Sequence, residues 1–225
     1  MRYFFYVFLL LSLIFPNSLY PQVSYYVDDD IGNDSSPGTF IQPFATIQKA
    51  ADVMHTNLTV ASCYIYPGTY FDSIEIFSNL NNGYMVFLKL SNDNPVLTGS
   101  SVSNHAFFIT NSSRIIIQGL TITKYTQAIL IQGISTNNFI IRNLFISNRW
   151  NSIYLNSDNA DNNYILTNYI IGQAISAGIS ILDGDNNIIK SNFSFFNIKG
   201  IHLGGNASNN YIIKNIVYTN GECGI

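Results

Sequence analysis

The sequence predicts an all-β chain wound as a parallel β-helix, a solenoid with three short strands in each coil. Three observations carry this. The dipeptide Asn-Asn returns at Asn137-Asn138, Asn162-Asn163, Asn186-Asn187 and Asn209-Asn210, at steps of 25, 24 and 23 residues. Within each period, apolar residues alternate with polar ones over short runs, which marks half-buried strands. The composition agrees: of 225 residues, 33 are Ile and 29 are Asn, while only 10% are charged. Branched Ile suits strands and Asn suits turns.

Other architectures fall away. The chain is too apolar and too weakly charged to stay disordered. Its ten Lys and Arg are scattered with no basic run, so no nucleic-acid partner is expected. Two cysteines cannot build a disulfide framework. The Leu-x-x-Leu-x-Leu signature of leucine-rich repeats is absent, and a propeller blade needs about 40 residues.

The elements follow in order. Arg2 precedes an uncharged apolar stretch from Tyr3 to Phe15, closed by Pro16. This is the pattern of a signal peptide, assigned to 1–22. The stretch is short of the roughly 20 residues of a membrane span. An uncleaved signal anchor is the alternative. The mature protein is therefore expected to be secreted, extracellular or periplasmic, with no membrane span after cleavage. In a eukaryote the sequons at Asn33, Asn57, Asn111, Asn192 and Asn206 could be glycosylated, although Asn192 falls in a packed turn.

Residues 23–57 form a strand, a loop and a short capping helix. Phe44, Ile47, Ala51 and Met54 fall near one helical face that could plug the open end of a solenoid. The segment reads YVDDDIGNDSSPGTFIQPFATIQKAADVM from Tyr26, then YIYPGTYFDSIEI from Tyr64. It resembles the entry module of secreted right-handed β-helix proteins of the pectate-lyase-like superfamily. The matching residues are Gly32, Asp34, Gly38, Thr39, Pro43, Phe44, Thr46, Ile47, Gln48, Ala50, Pro67, Gly68, Thr69 and Tyr70. Asp28-Asp29-Asp30 lacks the spacing of a known calcium loop and reads as loop.

Residues 58–225 form the coils. Aligned, the repeats read NNFIIRNLFIS, NNYILTNYIIG, NNIIKSNFSFF and NNYIIKNIVYT, with a weaker copy, SRIIIQGLTIT, before them. Ile116, Ile140, Ile165, Ile189 and Ile212 form an inward column. Leu120, Leu144, Tyr169, Phe193 and Ile216 form a second column. Gly119, Asn143, Asn168, Asn192 and Asn215 form a third. The four asparagines are expected to make a structural ladder, because Asn tolerates left-handed turns and its amide can bond to those above and below. A second motif, as in Gly-Ile-x-Leu, aligns Ile129, Ile153, Ile179 and Ile201, and also Ile131, Leu155, Ile181 and Leu203. Cys63 and Cys223 lie in the first and last coils, too far apart to pair. Gly224-Ile225 opens a strand with no cap after it, which implies further coils in the native gene.

The superfamily resemblance implies polysaccharide, anionic or neutral, as the ligand class. The enzymes of that superfamily use the outer face of one sheet, and the Gly-Ile-x-Leu strand resembles it. Its outward column is Leu130, Tyr154, Ser180 and His202, and the following turns supply Asp161, Asp183 and Asp185. Ligand binding is assigned to Tyr154, Ser180, His202 and Asp183. Asp161 and Asp185 should stack about 5 Å apart. Calcium would suit such a pair, and so would ordinary turn chemistry. A lyase would want a Lys or Arg in this column, which supplies none, and the polygalacturonase signature is absent. The leading expectation is a module that binds polysaccharide, uronate-containing ones included, or serves a structural role at the surface. The alternative is a polysaccharide lyase, epimerase or hydrolase. A third role is that of the periplasmic β-helix accessories that help mature copper enzymes. It is weakened by a content of three Met and three His.

Overall fold

The computed structural model describes residues 23–56, 60–79, 83–100, 105–172 and 175–225. The segment read as a signal peptide and the sequon at Asn57 lie outside the described residues. The described chain is a parallel β-solenoid of about six turns with one short helix. Three sheets of eight, seven and six strands run along it, and neighbours in each sheet lie one coil apart in sequence.

The asparagines show why the coils stack. The Oδ1 of Asn168 accepts the backbone N–H of Asn143 at 3.0 Å, while its Nδ2 donates to the Ile140 carbonyl at 2.8 Å. Asn192 does the same for Asn168 and Ile165, and Asn215 for Asn192 and Ile189. Each side chain thus satisfies two backbone groups of the coil before it, at a corner where strand pairing lapses. The left-handed residue of this corner is the one before each asparagine: Arg142, Thr167, Ser191 and Lys214, at φ between 54° and 57°. Asn192 is fully buried, as expected of a packed turn.

Two more such columns are present, one of them the second residue of each Asn-Asn dipeptide. Asn138, Asn163, Asn187 and Asn210 bond from coil to coil at a second corner. Asn148 accepts the Tyr125 N–H, and Asn220 the Asn197 N–H, at a third.

Inside, Ile140, Ile165, Ile189 and Ile212 pair in register. The weak copy is displaced by one residue: Ile140 pairs with Ile117, not Ile116. Arg114 (φ 63°) takes the left-handed corner that Asn137 holds in the next coil, so that coil is 23 residues long. A slip of one residue changes the face of every side chain. Ile116 is therefore on the outer surface with Val86, Phe139 and Ile141, in a second apolar cluster. By the same shift, Leu120 and not Gly119 stands in the asparagine column, its N–H bound by Asn143 Oδ1. Thr121, not Leu120, then pairs with Leu144. The Gly-Ile-x-Leu columns are in register as read.

The capping helix, Ile47–His55, buries Ile47, Ala50, Ala51 and Met54. Its N-cap Thr46 accepts from the Lys49 N–H, and Asp34 binds the N–H groups of Ala45 and Thr46. Asp29 accepts the Thr69 N–H at 2.7 Å, tying the aspartate run to the Pro-Gly-Thr-Tyr turn. Gly38 (φ +73°) lies against the Phe44 ring, where a Cβ would collide. These matched residues build the cap.

Replacing Ile165 by Ala should cost about 2–5 kcal/mol in chemical denaturation, through the cavity it leaves. Asn168→Ala should cost about 1–3 kcal/mol, because it strands a buried N–H and a buried C=O. Tyr169→Ala, at a position 41% exposed, should cost less than either. If Asn168→Ala proves neutral, the corner amides are not holding the stack.

Both cysteines are free, Cys63 buried and Cys223 exposed. Burial, then the charge of Asp72, pushes the Cys63 thiol up. Iodoacetamide should label Cys223 in the folded protein and Cys63 only after unfolding. Equal labelling of both in the native state would contradict the fold.

Candidate functional site on the six-stranded sheet

The six-stranded sheet comprises Ile74–Phe77, His105–Thr110, Gln127–Gln132, Asn151–Asn156, Ala177–Leu182 and Lys199–Gly204. Alternation sends Ile129, Ile153, Ile179 and Ile201 inward, and the residues that follow them outward. The outward residues form one unbroken column: Glu75, Phe108, Leu130, Tyr154, Ser180 and His202. Tyr154 and His202 are two strands apart, about 10 Å, and both are partly exposed.

Ser180 lies between them and is only 4% exposed. Its Oγ is 3.3 Å from His202 Nδ1, so the hydroxyl supports the ring more than it meets solvent. Burial, then the nearby charge of Lys199, pushes the His202 pKa down. Lys199 begins the same strand, and its Nζ is 3.7 Å from Glu222. Sequence reading passed over Lys199 because the strand starts before the Gly-Ile-x-Leu motif. Burial, then the charge of Asp183, raises the Tyr154 hydroxyl. Asp183 follows the strand Ala177–Leu182 directly, at the edge of the strip.

The aspartates in the exit turns are tied to the solenoid. Asp161 Oδ1 accepts the Asp185 N–H at 2.7 Å, so the two do stack from coil to coil. Asp185 Oδ1 accepts from the N–H and Oγ of Ser208, and Asp183 Oδ1 from the Asn206 N–H. Asp183 has a left-handed backbone, φ 67°, as turn chemistry allows.

The other end of the strip is aromatic. His105 stacks on Phe108 at 5.3 Å, and Phe77 meets Phe108 edge-on at 5.6 Å. His105 Nε2 lies 3.0 Å from Gln127 Oε1. Burial pushes the His105 pKa down, opposed by that hydrogen bond and by the charge of Glu75. A cavity of about 280 Å³ adjoins this end, lined by Ala51, Asp52, His55, Glu75, Ile76 and Phe77.

This frame defines the class: a right-handed parallel β-helix. The structure of a rhamnogalacturonan lyase superposes with a TM-score of 0.72 at 20% identity, over 88% of this chain and 58% of that one. The likeness is one of fold, and the chain spans little more than half the length of that enzyme. Residues 64–225 match the family described as NosD, periplasmic copper-binding protein, and the chain belongs to that family. A comparison with curated proteins gave no match. The family is periplasmic, and the protein is accordingly extracellular or periplasmic. Among the described residues, no helix is long and apolar enough to cross a membrane.

Both strip histidines should titrate below the ordinary 6.5 in an NMR pH series. A lowered folded-state pKa means that the unfolded chain binds more protons. Stability should therefore fall as pH drops beneath 6.5, and His202→Gln should lose less of it than the parent. A His202 midpoint at or above 6.5 would contradict the environment described.

Proposed function

We propose that the protein engages extracellular polysaccharide along the outward column of the six-stranded sheet, as a binding or surface-structural module. The observation that supports this is the in-register run Phe108, Leu130, Tyr154, Ser180 and His202 on one partly exposed face. Its strand spacing of about 4.8 Å is close to the length of a pyranose ring. Tyr154 offers a flat apolar face with a hydroxyl at its rim. His202 offers a ring nitrogen that donates or accepts, and Asp183 stands at the side.

Copper, named in the family description, would need soft or imidazole donors that converge. Among the described residues they do not do so. Met54, Met85 and Cys63 are core residues, and Cys223 lies exposed in the last coil. His105 and His202 stand on strands four steps apart in the sheet, about 19 Å. His55 ends the capping helix. No role through copper is derived for these residues.

Catalysis on this face would want a free cation, and Lys199 is shared with Glu222. Binding therefore takes precedence over cleavage.

A glycan array probed with the secreted protein tests the reading. Tyr154→Ala and His202→Ala should each weaken binding about tenfold, the effect of losing one good contact. Their melting temperatures should stay close to that of the parent, since neither residue is in the core. Full affinity in both variants would remove this face as the site.

A further inference from the structure

The charges around the strip narrow the class of glycan, given the binding face proposed above. Lys199 is the one Lys or Arg on the strands of this sheet, and Glu222 lies beside it at 3.7 Å. Glu75 stands at the far end of the column, next to the cavity that also holds Asp52. Lys124, Arg149 and Asp72 lie in the turns that enter the sheet, a net positive edge, while Arg114, Asp158, Asp161, Asp183 and Asp185 lie in the turns that leave it, a net negative one. A uniformly charged polymer would gain at one edge and lose at the other. Between the edges, the column offers Phe108, Leu130, Tyr154 and Ser180, none of them charged.

A cation bridge to a uronate finds little support either. Calcium takes six to eight oxygen ligands, as a rule. Asp161, Asp183 and Asp185 each commit an oxygen to the coil that follows. Among the described residues, the one group of three or more His, Cys, Asp or Glu with ligand atoms within 4.8 Å of one another is Asp28, Asp29 and Asp30. That group is in the entry loop, beside the first strand.

We infer that the face takes an uncharged polysaccharide, held by ring stacking on Tyr154 and by hydroxyl hydrogen bonds to His202, and not a polyuronate. With Nδ1 held against Ser180 Oγ, a neutral imidazole leaves Nε2 for a sugar hydroxyl, as donor or acceptor according to its tautomer. Leu130, only 7% exposed between Phe108 and Tyr154, fills the floor between the two rings.

Calorimetric titration of the full chain decides the matter with four probes: cellohexaose and mannohexaose as neutral chains, hexagalacturonate as the polyanion, and chitosan hexamer as the polycation. Each is measured in EDTA and in calcium, at low and high salt. At least one neutral hexamer should bind, with affinity indifferent to salt and calcium. Tyr154→Ala should weaken it about tenfold and Tyr154→Phe far less, since the ring remains. Lys199→Gln should leave it within about twofold, because a neutral ligand gains little from a paired ammonium. Hexagalacturonate should bind at least about tenfold more weakly, even with calcium. If hexagalacturonate or the chitosan hexamer binds tightest and still depends on Tyr154, the face is right and the charge class is wrong. If no neutral probe binds, or if binding ignores Tyr154→Ala, the face itself fails and this inference with it.

Discussion

The structure depends on one recurring interaction, the corner amide that closes each coil onto the coil before it. A parallel β-helix must turn the chain three times per coil, and at each turn the backbone leaves the ladder of strand pairing. Every buried N–H and C=O left there would cost about 1–3 kcal/mol. Asn168 meets this demand in full, with Oδ1 on the Asn143 N–H and Nδ2 on the Ile140 carbonyl. A serine hydroxyl, as at Ser112 and Ser135, also accepts and donates, but through one atom; the asparagine amide sets donor and acceptor on two atoms, so each faces its own backbone group. A carboxylate supplies the acceptor alone, as Asp161 and Asp185 do in the exit turns.

These amides also fix the register. Because Asn192 holds Asn168, which holds Asn143, the strands on either side cannot slide. Ile189, Ile165 and Ile140 then stack, and the core becomes columns of like side chains. The weak coil shows the limit of this control. It has no asparagine at these two corners, where Leu120 and Ile115 stand, each donating its N–H to an asparagine of the next coil and offering no amide to the coil before. Its length of 23 residues moves Ile116 outward, where Val86, Phe139 and Ile141 bury it to 2% exposure. Hydrophobicity alone could not tell Ile116 from Ile117, since each is covered by apolar neighbours on its own face.

The same logic explains what the sequence made legible. Repetition of a dipeptide exposed the period, and the period gave the columns, because a solenoid turns sequence spacing directly into spatial contact. The outward column through Tyr154, Ser180 and His202 needed only that period and the alternation of a strand. What stayed hidden depends on contacts that spacing does not encode. Lys199 puts its charge near His202 because their strand begins two residues before Ile201. His105 joins the strip because its ring folds onto Phe108. Ser180 looks like an outward hydroxyl in sequence but is covered once His202 stacks above it. The third asparagine corner was harder to see, since Asn148, Asn197 and Asn220 keep no fixed neighbour.

Hydrogen bonding also decides where chemistry can reside. A polar side chain in a turn is claimed by the stack: the exit-turn aspartates accept backbone N–H groups one coil on, and the corner asparagines are buried. An atom held in this way cannot turn to a ligand without loosening the solenoid. Strand backbones, by contrast, are satisfied by their neighbours, so an outward strand side chain carries no structural debt. Tyr154 and His202 are of this second kind, and so is Phe108. A site on this fold can therefore change its strip of outward residues while the corners stay constant. That separation lets a domain with lyase-like architecture present a face with so little charge of its own.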